Sequence, residues 1–223
     1  MSNRGRFEAM AELSFKIEGA EVERFAAAPF LKFHLGIECS DANRSIHNVM
    51  LQCQVRIETT RRSYENEEKA RLIDLFGEPE RWSRSLQGML WAHASALVPP
   101  FQRACVAPLL VPCSFDFNIA ATKYFHGLQD GEVPLLLLFS GAVFYDDADG
   151  LQISQIAWDK EVRYRLPVSV WHSMMDYYYP DSAWLRLPRS AFERLEQYKR
   201  RHGLTACEQA LERLLAHDER VHA

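Results

Sequence analysis

Leu31, Phe33, Leu35, Ile37 and Cys39 alternate with Lys32, His34, Gly36 and Glu38. A period of two belongs to a strand with one buried and one wet face. After the polar turn Ser40-Asp41-Ala42-Asn43-Arg44, a second alternation sets Val49, Leu51, Cys53, Val55 and Ile57 against Asn48, Gln52, Gln54, Arg56 and Glu58. The pair reads as a long antiparallel hairpin. Residues 1 to 11 read as a frayed tail and Leu13 to Ile17 as a short strand. Pro79 suits a helix first turn, and Trp82, Leu86, Leu90, His93 and Leu97 follow at three-to-four spacing, which predicts a central helix stopped by Pro99-Pro100. Leu109 to Phe117 returns to strand, followed by a turn or short helix over Thr122 to Leu128. Asp130-Gly131 and Asp146-Asp147-Ala148-Asp149-Gly150 are turn signals on either side of a strand from Val133 to Tyr145. Leu151 to Leu166 completes a second hairpin, with Trp158, Val162, Tyr164 and Leu166 on one parity.

The last quarter changes to helical spacing. Trp171, Met174, Met175 and Tyr178 form an i, i+3, i+4, i+7 stripe. Pro188 opens a helix carrying Phe192, Leu195 and Tyr198, ended by Gly203; Thr205 with Glu208 forms a capping box for a final helix whose apolar face is Leu211, Leu214 and Leu215. The order predicts an α+β fold: an antiparallel, sandwich-like sheet core from two similar hairpin units, a central helix, and C-terminal helices. No Ser/Gly/Pro-rich linker interrupts residues 1–223, which read as a single domain with a helical part over 167–216.

An echo supports two related units. Phe15, Ile17, Ala20 and Phe25 recur a hundred residues later as Phe115, Phe117, Ala120 and Phe125, and each copy leads to a proline that opens an apolar stretch, at Pro29 and at Pro134. The spacing is consistent with duplication of about 12–62 in 112–166, each copy burying its apolar face on the other.

Composition narrows the function classes. An apolar fraction of 48% and a charged fraction of 25% are those of an ordinary folded protein. A net charge of −4 argues against nucleic acid, which calls for a basic surface. The basic cluster Lys199-Arg200-Arg201-His202 lies at a predicted helix C-terminus, where cations favour the dipole. No apolar run follows the N-terminal arginines, and the longest run, Val133 to Phe139, is too short to span a bilayer, so neither export nor membrane is expected. Five cysteines without a CxxC pair fit reduced thiols in a cytoplasm.

Candidate chemistry is sparse. Asp146, Asp147 and Asp149 lack the glycine and glutamate spacing of a calcium loop. His34 and His47 fall on opposite parities of the first hairpin, so they do not converge on one ion, and no metal or other cofactor is expected. Cys105 and Cys113 have no local base, and Ser140, in Phe139-Ser140-Gly141, lacks the first glycine of a nucleophile elbow. Arg61-Arg62 with Tyr64 is a candidate contact for a carboxylate or phosphate. The most unusual segment is aromatic. Trp171, Met174, Tyr177, Tyr178, Tyr179 and Trp184 crowd into fourteen residues. Three successive tyrosines cannot all point inward, and exposed Tyr, Trp and Met favour protein-binding surfaces.

Leu75-Phe76-Gly77-Glu78-Pro79-Glu80-Arg81-Trp82, Gly131-Glu132-Val133-Pro134-Leu135, Leu138-Phe139-Ser140-Gly141 and Trp171-His172-Ser173-Met174-Met175-Asp176 give the chain, over roughly residues 12 to 215, a resemblance to a bacterial family of unestablished function. Genes of that family tend to lie beside those for actinobacterial-type, high-affinity uptake nickel–iron hydrogenases. The resemblance implies an accessory to hydrogenase expression, assembly or maturation and supplies no catalytic residues. Lacking CxxC pairs and His-rich runs, the chain does not look like a direct metal donor. Three readings follow. The leading one is a cytoplasmic, non-enzymatic accessory protein that binds a protein partner, a hydrogenase subunit or assembly factor. The second is an enzyme or small-ligand binder with a cleft between the two sheet units, and the third a holdase-like chaperone using apolar sheet faces.

Overall fold

The computed structural model describes residues 12–41, 44–114, 119–147, 150–182 and 184–222. The chain divides into two compact units, Met1–Ser182 and Ala183–Ala223.

In the first unit the alternating segments form strands, and the strands form two antiparallel sheets. One sheet has the order β1 (Leu13–Val22), β2 (Phe30–Cys39), β6 (Ala104–Pro112). The other has the order β4 (Met89–Val98), β3 (Ser45–Ile57), β7 (Glu132–Asp147), β8 (Gly150–Gln155). The two-residue β5 (Phe101–Gln102) adds to β3, and β9 (Glu161–Pro167) pairs with the first half of β7, as β8 does with the second. Short helices α1 (Asn66–Arg71), α2 (Ile73–Phe76) and α3 (Trp82–Ser85) fill the β3–β4 connection, and α4 (Ile119–Gly127) the β6–β7 connection. The unit ends with α5 (Val168–Tyr178).

The buried parity of β2, and of β3 from Val49 onward, is the one the sequence predicts. Leu31, Phe33, Leu35 and Ile37 of β2 are fully buried, as are Val49, Leu51, Cys53, Val55 and Ile57 of β3. They belong to one core in which the two sheets meet face to face. Phe15 stacks on Phe139 across the sheets at 4.6 Å, and Phe33 meets Tyr164 edge-on at 5.9 Å.

The α+β class and the antiparallel sheets therefore stand, while three details change. The expected hairpin of residues 31–39 with 49–57 does not form: β2 pairs β1 and β6, whereas β3 pairs β4, β5 and β7. Both strands have one apolar face, and opposing those faces across a sandwich buries more than laying them edge to edge in one sheet. The expected helix over residues 82–97 shrinks to Trp82–Ser85, and Met89–Val98 is strand. Leu90, His93 and Leu97 satisfy helical spacing, but Ala92, Ala94, Ala96 and Val98 also satisfy a period of two, and pairing with the free side of β3 decides between them. The echo, finally, does not repeat a pairing. β1, which carries Ala20, lies beside β2, whereas the counterpart Ala120 lies in helix α4, as does Phe125; Phe115 and Phe117 fall outside the described residues, as do the expected tail (1–11) and Asp149.

A buried ion pair fastens the β3–β4 connection to the loop that enters β7. Arg62 and Glu68, with side chains 8% and 2% exposed, meet at 2.6 Å. Arg62 also donates to the carbonyls of Asp130 and Glu132, both at 2.8 Å, and Glu68 accepts from the backbone N–H groups of Gln129 and Glu65. Gly131 turns the loop with φ +74°, and a Cβ there would stand 3.2 Å from Arg62 Nη1. The carboxylate partner sought for Arg62 is thus supplied by the chain itself. Beside the pair, the Tyr64 hydroxyl bonds the Thr59 carbonyl and the Tyr124 hydroxyl.

In the second unit, α6 (Arg189–Arg201) and α7 (Cys207–His222) form a helical hairpin. Leu195 and Ala210 are its buried side chains among the described residues. At the start of α7, Gln209 rather than Glu208 reaches back, accepting from the N–H and hydroxyl of Thr205.

Removing one member of a buried, hydrogen-bonded pair leaves an uncompensated charge. Glu68→Ala is expected to lower unfolding free energy by about 3–5 kcal/mol, and the double change with Arg62→Met to cost less than Glu68→Ala alone. Urea unfolding of the three proteins measures both.

Candidate functional site

Helix α5 begins directly after Pro167, whose extended backbone (φ −60°, ψ 131°) sets the entry, and it packs on β1, β2 and β9. Only one stripe of the helix can face the sheets. That stripe is Val168, Trp171 and Met174, all buried, and the Trp171 indole stacks on Phe125 at 5.4 Å. Two of the six residues expected to bind a partner are therefore core: Trp171 is 3% exposed and Met174 is fully buried. Trp184 belongs to the second unit.

The tyrosines at the end of α5 take a different part. Tyr177 is half exposed and donates its hydroxyl proton to the carbonyl of Arg24 at 2.9 Å, with the Arg24 guanidinium 5.8 Å from its ring centre. The Tyr178 hydroxyl sits between the carbonyls of Glu23 and Ala26, so its single proton serves either. Loss of water around the Tyr178 phenol raises its pKa and keeps it a donor. Tyr177 and Tyr178 meet edge-on at 5.1 Å, and Tyr179 is partly buried. Between them the two hydroxyls hold the turn that joins β1 to β2.

That turn presents Phe25 to solvent, 98% exposed. Its backbone is fixed at both ends: Glu23 N–H bonds the Phe30 carbonyl at 3.0 Å, and Phe25 N–H bonds the Glu23 carboxylate at 3.1 Å. Beside Phe25 lies an open depression of about 470 Å³, bordered by Glu21, Arg24, Lys32 and Val170. Lys32 bridges Glu21 at 2.7 Å and Glu23 at 3.5 Å. The hydrogen bond with Lys32 lowers the Glu21 carboxyl, and the same bond raises the Lys32 ammonium, so both stay charged near neutral pH. The arrangement offers a rigid apolar knob in a ring of both signs of charge. Sequence reading placed Phe25 only in the echo; the available signal was an aromatic residue in the turn Glu23-Arg24-Phe25-Ala26-Ala27-Ala28-Pro29, where no core demands one.

The remaining candidates disperse. His34 approaches Glu21 at 3.3 Å on one sheet, and His47 approaches Asp146 at 2.9 Å on the other. A bulge between Ile46 and Asn48 turns His47 outward, against its expected parity. Among the described residues no group of three or more His, Cys, Asp or Glu side chains converges. Burial pushes the Cys53 and Cys113 thiols up to about 12 and raises that of Cys105, the reverse of what a nucleophile needs. Trp158 leaves its expected parity for a turn and is 94% exposed. The space between the two sheets is filled by their own side chains.

A family of unknown function, DUF6084, matches residues 10–223. No curated protein matches. Among solved structures, a β-glucosidase from Kluyveromyces marxianus is similar at 8% identity and a TM-score of 0.26, over 71% of this chain and 15% of that one. β-Glucosidase 3B from Thermotoga neapolitana is similar at 10% identity and a TM-score of 0.25, over 71% of this chain and 17% of that one. The chain spans under a fifth of these enzymes, and likeness at that level carries no argument about fold or activity.

Two measurements probe the site. Tyr178→Phe keeps the ring and deletes the hydroxyl, so stability is expected to fall by about 0.5–1.5 kcal/mol, with faster amide exchange confined to residues 23–28. Because the Cys113 thiol titrates at about 12, raising pH from 7 to 9 is expected to leave its alkylation slow until denaturant unfolds the chain.

Proposed function

We propose that this chain, which belongs to the DUF6084 family of unknown function, is a non-enzymatic accessory protein that docks a protein partner through the Phe25 turn and the tyrosines beneath it. One observation carries the reading. Phe25 is almost wholly exposed on a turn whose carbonyls at Glu23, Arg24 and Ala26 are held by Tyr177 and Tyr178. Leaving a phenylalanine in water forgoes about 1.5–3 kcal/mol of burial, which a partner's apolar pocket would recover. Holding the turn in place beforehand reduces the ordering cost of binding. The ring of Glu21, Glu23, Arg24 and Lys32 supplies a charged rim that fixes orientation.

This refines the expected aromatic surface: Tyr177 and Tyr178 belong to it as supports, with Phe25 as the contact. The resemblance to a family encoded beside uptake nickel–iron hydrogenases supports a hydrogenase subunit or assembly factor as the partner. Five free cysteines support action in a reducing cytoplasm. No helix is long and apolar enough to cross a membrane.

Phe25→Ser is expected to change unfolding free energy by less than about 0.5 kcal/mol, as surface changes do, and to weaken partner capture by about 2 kcal/mol, as hot-spot residues do. Thermal melts beside affinity capture of hydrogenase subunits and assembly factors, produced together with the tagged chain, measure the two effects. A variant that melts normally and captures the same proteins at the same level would sink the reading.

A further inference from the structure

A different surface carries a second site. In the register of the six-stranded sheet, Ser95, Gln52 and Ser140 lie opposite one another across β4, β3 and β7, and His93, Gln54 and Leu138 form the next row. None of the six is buried, and all share the outward parity. Neighbours on one face of such a sheet stand about 4.5–5.5 Å apart. The result is a floor of amide, hydroxyl and imidazole groups with Leu138 at one corner.

Beyond β7 the next column is open only beside Phe139, Ser140 and Gly141, because β8 ends at Gln155, opposite Ala142, and β9 begins at Glu161, opposite Leu138. The segment between is anchored to β7 at both ends, by Ile156 N–H to the Gly141 carbonyl at 3.0 Å and Phe139 N–H to the Lys160 carbonyl at 2.9 Å. Lys160 N–H closes the turn on the Ala157 carbonyl at 3.2 Å. Trp158 stands at its tip. On the other side of β7, Gly141 lets the strand lie close to β3: its φ is +138°, and a Cβ there would lie 1.9 Å from the Met50 carbonyl oxygen. Floor and indole together border an open depression of about 640 Å³, within the usual range for small-molecule sites.

We propose that this depression binds an uncharged, hydroxyl-rich ligand, a neutral carbohydrate. Among the described residues no Asp, Glu, Lys or Arg lines it, in a chain that is 25% charged. A phosphate or carboxylate ligand would call for Arg or Lys, and a cation would call for a carboxylate beside the indole. A sugar ring presents an apolar C–H face to stack on Trp158 and hydroxyls that both donate and accept. The side-chain amides of Gln52 and Gln54 and the hydroxyls of Ser95 and Ser140 offer that same double capacity. Along the sheet the floor gives way to an apolar row in which Leu97 and Met50, 72% and 57% exposed, lie opposite each other. That row sets one boundary of the polar surface.

The test titrates the full chain with maltohexaose, cellohexaose, xylohexaose and chitohexaose, followed by tryptophan emission and calorimetry, with an uncharged Gln/Ser peptide as control. Saturable binding of at least one sugar is expected. Trp158→Ala should weaken it at least about tenfold, or about 1.4 kcal/mol, and Gln54→Ala should weaken it as well. Both variants should melt like the parent, because these side chains face outward. Phe25→Ser should leave sugar binding unchanged, which separates this site from partner docking. The inference is overturned if none of the four sugars binds saturably, if the peptide binds in their place, or if Trp158→Ala binds like the parent.

Discussion

Each sheet has one apolar face, and the fold follows from pressing those two faces together. Phe15 on Phe139, Phe33 against Tyr164, and the fully buried runs of β2 and β3 form a single core. Among the described residues, side chains of both sheets meet in that interior.

Two connections share one physical construction. The β1–β2 turn and the β8–β9 turn each hold their backbone groups in hydrogen bonds to a neighbouring element and leave one aromatic side chain in water. The first is held by tyrosine hydroxyls from α5 and ringed by charge; the second is held by β7 and borders a floor without charge. An exposed aromatic on a loose loop would collapse onto the nearest apolar surface, whereas a pinned one stays available. Charge around Phe25 suits a protein rim, and the uncharged floor beside Trp158 suits hydroxyl groups.

The ionisable groups buried in the first unit serve structure. Arg62 and Glu68 satisfy each other and the loop before β7. Tyr64 and Tyr124 share a hydrogen bond, and burial raises both phenols, the first to about 12. The thiols of Cys53 and Cys113 are raised in the same way. Phenols and thiols raised in this way stay protonated at neutral pH.

The sequence by itself determined which residues β2 and most of β3 bury, because alternation at Leu31–Cys39 and Val49–Ile57 depends only on the pleat of a single strand. It likewise determined the helical stripe of Trp171 and Met174 and the turns at Gly131 and Gly150, which are local matters of period and backbone freedom. Tertiary structure alone decided which strands pair. Edge partners are chosen by the match of whole faces, so β2 and β3, adjacent in sequence, went to opposite sheets, and residues 89–98 became strand when β3 offered an open edge. It also decided the candidate sites. Tyr177 and Tyr178 meet Arg24 and Glu23 across some 150 residues, and Ser95, Gln52, Ser140 and Trp158 come together from four elements or their connections. No spacing rule along the chain encodes such a meeting, because the distances that matter are set by register and packing between segments.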